Sequence, residues 1–450
     1  MIKYSFLFFV AFCFIFLQVP AQKMVLKNIH SFGAKGDGKT NDTEAFLKAA
    51  AFFNERTGNG TLLIPEGVYI IGKQLFSNGD VNKSTYQGIR ILDFKNSNNL
   101  IIQGEKGTLL KYADNLKFGS FDPVTGNIFN GNNPSQPDPK YAGDIGYCIG
   151  LTDCKNITVK TLVLNGNNKM IQLGGLYDDK GIQLMHVGIY IHNTQGVYID
   201  NINASYFALD GIIVTNVASD KKDDINITNS IFEYNFRQGL SWVGGNYLQA
   251  KNCRFNHTGK SVYCSPPGAG VDIEAEVGPI TNGIFEHCEF IDNTGCGVVT
   301  GGGVTSNCTF TDCTFWGINN WSIWVSAPAF TFIGCKIYGS IVHGYNASNA
   351  TEATRFIRCY FEDKAYKGQP SYGKYLLECD GPRRISFDSC TFVPHAKPIA
   401  WLNTSNAKTS EEKATISNSQ FIIPEKEGNN TPVSFSFINF FNNTTEFKKY

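Results

Sequence analysis

Six cysteines recur in one local frame: Cys253 in KNCRF, Cys288 in EHCEF, Cys313 in TDCTF, Cys335 in IGCKI, Cys359 in IRCYF and Cys390 in DSCTF. Phe or Ile follows two positions after each, so on a strand the thiol and the larger apolar group share a face. The intervals are 35, 25, 22, 24 and 31 residues, an irregular period typical of stacked supersecondary units. The frame extends upstream to TNSIF (228–232) and downstream to SNSQF (417–421), with Ser in the Cys place. A single unit of this length cannot bury its apolar face alone. Successive units must therefore stack, bringing equivalent side chains into ladders about 4.8 Å per rung. The fold class expected is all-β, a single-stranded parallel β-helix.

Twelve cysteines follow residue 21, and in an oxidising compartment disulfides would be the first expectation. A recurring inward column argues instead for structural free thiols. The spacing also lacks the close pairs of a zinc site. The chain has 450 residues, within reach of one elongated β domain. Lys plus Arg equals Asp plus Glu at 39 each, which excludes binding nucleic acid or a membrane surface through net charge. Lys3 precedes the apolar run FLFFVAFCFIFL, with Val19 and Ala21 placed for a signal peptidase. That run is too short to span a bilayer and no second one follows, so export to the periplasm or outside is expected without membrane insertion. The expected organisation is a signal peptide at 1–21, a solenoid at 24–425, and a C-terminal tail or cap at 426–450. A monomer is expected.

Residues 31–72 hold a glycine turn, then Asn41 and Glu44 in capping-box spacing, then Phe46, Ala49, Ala50 and Phe53 at helical spacing. Such a helix would plug the open end of the solenoid and protect its edge. The segment FGAKGDGKTNDTEAF…GNGTLLIPEGVYIIG resembles the entry segment of the pectate-lyase-like superfamily. That resemblance implies right-handed parallel β-helices, a group that includes polygalacturonases, polysaccharide lyases, uronate epimerases and phage tailspikes.

Short strands opened by a small residue can be stacked in one frame: GIIVT (211–215), GLSWV (239–243), GVDIE (270–274), GVVTG (297–301), SIWVS (322–326) and IVHGY (341–345). Ile212, Leu240, Val271, Val298, Ile323 and Val342 form the inward column. Ile213, Ser241, Asp272, Val299, Trp324 and His343 then point outward, and Glu274 lies two residues beyond Asp272 on the same face. Their Cα atoms should be about 6.5–7 Å apart. Trp324, two rungs away, offers a stacking platform for a sugar. Arg237 and Gln238 end the turn before GLSW. The long loop NHTGKSVYCSPPGAG brings His257, Lys260 and Tyr263 toward Asp272. His186 is placed at the far end of the groove, while His192 and His287 read as structural. No cofactor is called for, and a calcium ion at YDDKG (177–181) is a weaker reading than a solvated turn.

Two reactions fit this face. β-Elimination on a uronic acid, the leading expectation, needs a base, an acid and a cation for the substrate carboxylate. Arg237 would hold that carboxylate, His343 or Tyr263 would act as base or acid, and Asp272 with Glu274 would position the sugar or share proton transfer. Trp324, Lys260, Gln238, Ser241 and His186 would line the binding groove. GVDIEAE is also similar to the Tyr-Gly-Phe-Asp-Pro-His-Glu segment of mannuronan C5-epimerases, with Asp272 at the Asp position. The alternative is an inverting glycoside hydrolase of polygalacturonase type using Asp272 and Glu274. The Asn-Thr-Asp, Gly-His-Gly and Arg-Ile-Lys motifs of polygalacturonases are absent from the sequence. A non-catalytic carbohydrate-binding solenoid is the third reading. The expected partner in each case is an acidic oligo- or polysaccharide.

Overall fold

The computed structural model describes residues 24–77, 85–131, 138–178, 180–217, 222–379, 383–400, 402, 407–424 and 438–448. The expected signal peptide at 1–21 and Asp179 of YDDKG lie outside the described residues. Within the described residues the chain coils rung upon rung with parallel pairing between successive turns. One ladder runs from Leu92–Lys95 through Gly146–Thr152, His186–His192, Ile212–Thr215, Leu240–Lys251, Val271–Glu274, Val298–Gly301 and Ile323–Trp324 to Ile341–His343. A second includes Gln195–Ser205, Ile280–Glu286, Thr305–Thr311 and Phe330–Ile333. A third begins at Glu289–Ile291 and passes through Thr314–Trp316 and Lys336–Tyr338.

The corner between the second and third ladders explains the cysteine frame. The residue before each Cys or Ser adopts a left-handed backbone: Asn229, Asn252, His287, Asp312, Gly334, Arg358, Ser389 and Asn418 have φ between 49° and 64°. Asn, Asp, His and Gly tolerate that conformation best, which accounts for most of the types found there. After the corner the Cys side chain enters the core. Cys253, Cys288, Cys313, Cys335, Cys359 and Cys390 are buried and free, as are Ser230 and Ser419 buried in line with them. Each thiol lies against the carbonyl two residues earlier, as Cys288 does against Glu286 at 3.3 Å. Beside this column two phenylalanine ladders stack face to face, with Phe285–Phe310 centroids 4.6 Å apart and Phe290–Phe315 also 4.6 Å apart. A stacked ring at rung spacing keeps both faces in apolar contact, which is why Phe recurs.

The helix Thr43–Glu55 buries Phe46, Ala49, Ala50 and Phe53 over the first rungs, as a plug should. Its start differs from the expected capping box. Asp42 holds the cap position, but its carboxylate accepts from the Lys35 and Gly36 amides at 2.8 and 3.0 Å. Glu44 pairs instead with Lys73 at 3.0 Å. The entry loop thus claims the acid that an isolated helix would have used. At the other end, Ile438–Phe441 and Thr444–Lys448 pair with Ala414–Ser417 and Gln420–Pro424. Part of the segment expected as a C-terminal tail or cap therefore pairs as further rungs. Among the described residues no helix is long and apolar enough to cross a membrane.

Candidate active site

The outward column is a continuous register. Ser241 pairs with Asp272, Asp272 with Val299, Val299 with Trp324, and Trp324 with His343. The inward partners differ from expectation at one rung. A register shift pairs Ile323 with the fully buried Ile341; the side chain of Val342, expected in this column, lies outside the described residues. Asp272 and Glu274 then line an open groove of about 490 Å³ with Val299, Thr300, Gly301 and Trp324. Lys180, Gln183, Pro266 and Pro267 complete its walls. These walls are two loops held together by the Ile182 amide, which donates to the Tyr263 carbonyl at 3.2 Å. Gly301 and Gly302 leave space for Glu274: a Cβ at Gly302 would sit 2.7 Å from Glu274 Cγ, and Gly302 has φ +62°.

Asp272 is not the solvated acid that its outward frame suggests, since it is only 6 % exposed. Its Oδ2 accepts from the Gln238 side-chain amide at 2.6 Å. Gln238 belongs to a buried network centred on Asp210, which is fully buried. Arg237 clasps Asp210 through Nε at 2.9 Å and Nη2 at 2.5 Å. The Gln238 backbone amide donates to Asp210 at 3.0 Å, and the Ser241 hydroxyl lies 2.8 Å from Asp210 and against Gln238 Oε1. Burial raises the Asp272 carboxyl to about 7, and the neighbouring Glu274 charge adds to the rise. Arg237 and Gln238 oppose it without cancelling it. Burial, then Glu274, also raises Glu276. For Arg237 burial favours loss of the proton, but the Asp210 carboxylate outweighs it and holds the charge. The site therefore offers one carboxyl that can be protonated near neutral pH, with a second acid on the same strand face. That is the environment from which a general acid works.

Several residues expected here do other work. Arg237 is committed to Asp210 and cannot serve as an uncommitted carboxylate clamp, because withdrawing it would leave a buried anion unpaired. Lys260 pairs with Asp292 at 2.8 Å, as does His257 at 3.1 Å, and neither lines the groove. The Tyr263 ring packs against the apolar core instead of lining the groove. His186 is fully buried, with its ring 4.8 Å from Tyr112 and 5.2 Å from Phe207. Burial lowers it to about 3, so it is a neutral core residue and not a groove ligand. His343 stands behind Trp324 at 6.0 Å and is shifted down by burial. Gln238 and Ser241 act beneath Asp272. Trp324 lies on the groove as expected, half-exposed, with Trp321 and Tyr372 continuing an aromatic cluster away from it. Among the described residues no group of three or more His, Cys, Asp or Glu is placed to hold a metal. The YDDKG turn, where calcium was the weaker reading, includes Asp179, which lies outside the described residues.

Asp210, Lys180, Gln183 and Glu276 were missed in the sequence. Asp210 had a signal: FALDG and NFRQG align on their glycines, which places Asp210 one rung from Gln238. Lys180 and Gln183 had none, because their loop reaches the groove only through tertiary packing.

Residues 180–337 match the family described as a right handed beta helix region. That match agrees with the all-β parallel solenoid seen in the strand pairing. A stretch of 113 residues is 33 % identical to polygalacturonase ADPG1 of Arabidopsis thaliana, spanning 23 % of this chain and 24 % of that protein. The chain therefore matches about a quarter of the length of this curated relative. Among solved structures, the A-module of mannuronan C-5 epimerase AlgE4 from Azotobacter vinelandii is 13 % identical, with TM-score 0.42, over 94 % of this chain and 97 % of that one. A family 28 exopolygalacturonase of Yersinia enterocolitica is 13 % identical, with TM-score 0.47, over 95 % and 78 %.

Proposed function

We propose that this is an exported carbohydrate-active enzyme that cleaves an acidic, uronate-containing saccharide in the Asp272 groove by acid–base chemistry. The observation that carries the reading is the buried Asp272 carboxyl, raised to about 7 beside Glu274 in an open groove walled by Trp324. Asp272 would protonate the leaving oxygen, and Glu274 would activate water. Two residues of strand separate their Cα atoms by about 6.5–7 Å. Side chains two apart on one strand face stand side by side, which gives a water room between acid and base, as inversion requires. Hydrolysis is favoured over elimination because the groups that elimination was expected to use are committed elsewhere: Arg237 to Asp210, Lys260 to Asp292, and the Tyr263 ring to the core.

Elimination keeps one specific support. Lys180 lines the groove, and a protonated Asp272 could hydrogen-bond a uronate carboxylate beside it, with Glu274 as base. Pectic, alginate and ulvan oligosaccharides incubated with the mature protein separate the readings. Reducing ends without new ultraviolet absorbance are expected for hydrolysis. Both signals together indicate a lyase, absorbance alone a dehydratase, and silence across the panel would favour the binding solenoid.

A further inference from the structure

We infer that the groove continues beyond the catalytic pair into a second saccharide subsite, built around Arg90 and Tyr147, that takes the carboxylate of a uronate several sugar units away. The inference rests on the saccharide reading of the Asp272 groove. A separate open pocket of about 260 Å³ is lined by Gln87, Gly88, Arg90, Asp144, Tyr147 and Gln183 among others. Gln183 borders both this pocket and the Asp272 groove, so one loop joins them. The two lie along the same ladder of strands. Gly146–Thr152 pairs with His186–His192, then Ile212–Thr215, Leu240–Lys251 and Val271–Glu274 follow, four steps or about 19 Å at rung spacing.

Between them the strand face carries an apolar stretch nearest Tyr147 and the Ser241 network nearest Asp272. Tyr147, Val187, Leu209 and Ile213 form a buried cluster separate from the main core, with Met185 and Tyr190 against it. The Tyr147 and Tyr190 rings stack at 5.2 Å with an interplanar angle of 11°, and His192 continues the stack 6.4 Å from Tyr190. Of these rings Tyr190 and His192 are partly exposed and able to meet a sugar, while the buried Tyr147 supports them from beneath. Arg90 supplies the charge. Its guanidinium lies 5.2 Å from the Tyr147 ring, and it is exposed. It enters no ion pair among the described residues, unlike Arg237. The carboxylates nearby are engaged: Asp144 Oδ1 accepts from the Gly88 amide at 3.2 Å, and Asp93 accepts from the Tyr147 hydroxyl at 2.7 Å while pairing with Lys95 at 3.3 Å. A planar guanidinium held over a ring suits a bidentate carboxylate.

Calorimetry with hexasaccharides and disaccharides of galacturonate, mannuronate and glucuronate, each with a carboxyl-reduced neutral hexasaccharide as control, tests this without requiring turnover. At least one uronate hexasaccharide should bind. Arg90→Ala should weaken that binding about tenfold, leave the disaccharide and the neutral control unchanged, and be partly rescued by Arg90→Lys. Equal affinity of wild type and Arg90→Ala for the hexasaccharide, an equal loss on the disaccharide, or no binding of any uronate hexasaccharide would overturn the subsite. If binding depends on Arg90 but no bond is cleaved, the subsite stands and the catalytic reading fails.

Discussion

The inner column from Cys253 to Cys390 and the outer column from Ser241 to His343 climb neighbouring ladders of one solenoid, yet they are built on opposite terms. Inside, every rung repeats one small side chain, and any member resembles its neighbours above and below. Outside, Ser241, Asp272, Val299, Trp324 and His343 are all different. The inner column needs only volume and shape, which stacking supplies repeatedly. The outer one depends on single groups whose protonation and pairing are set by particular neighbours. Substitutions should therefore have graded, shareable effects inside and specific ones outside.

The largest expected effect is at Asp272. Asp272→Asn should lower kcat about 10²–10⁴-fold while the thermal transition persists, measured by reducing-end release and circular dichroism. Because the acid must be protonated to work, the wild-type rate should fall as pH rises through about 7. Stability has the same sign. The folded carboxyl is raised above its ordinary 3.8, so its contribution is fully present below that value and is lost as pH rises through about 7. The Asn variant should lack that part of the slope in melts taken between these limits, and an unchanged slope would show that Asp272 is not the group concerned.

Arg237→Met comes next, because it leaves Asp210 buried without its cation. A loss of about 3–5 kcal/mol in denaturant unfolding is expected. Arg237→Met combined with Asp210→Leu should recover much of it, which would show that the unpaired charge was responsible and not lost packing. In the inner column Cys313→Ser should cost only about 1 kcal/mol. Ser230 already places a hydroxyl in this column and donates to the Thr228 carbonyl at 2.6 Å. Thr311 offers the equivalent carbonyl to residue 313. A loss several times larger would erase the contrast between the columns. Smallest of all, Lys260→Ala should cost less than about 1 kcal/mol and leave turnover unchanged, since its pair with Asp292 is partly exposed and away from the groove. A drop in activity there would return Lys260 to the site.

The cysteine frame was legible because it is local: a corner residue tolerant of the left-handed backbone, then a side chain entering the core, then Phe two positions on. The outward direction of Asp272 and Glu274 was legible for the same reason, as strand alternation fixes direction once the frame is found. Burial was not. Asp272 shares its groove with loops carrying Pro266 and Lys180, and the latter lies some 90 residues away in sequence. The commitment of Arg237 was half legible, since its partner Asp210 sits one rung below in an alignable position. Reading Arg237 as an uncommitted cation ignored that in a stack every charge has neighbours from adjacent turns.

The sequence alone determined that this chain stacks, which residues enter its core and which face carries the acids, because those follow from period and alternation along a few residues. Tertiary structure decided what the acids are. Only the closing loops and the Asp210–Arg237–Gln238 network remove water from Asp272 while leaving it on the groove, and a carboxyl's proton affinity depends on solvent and charges that no local segment contains.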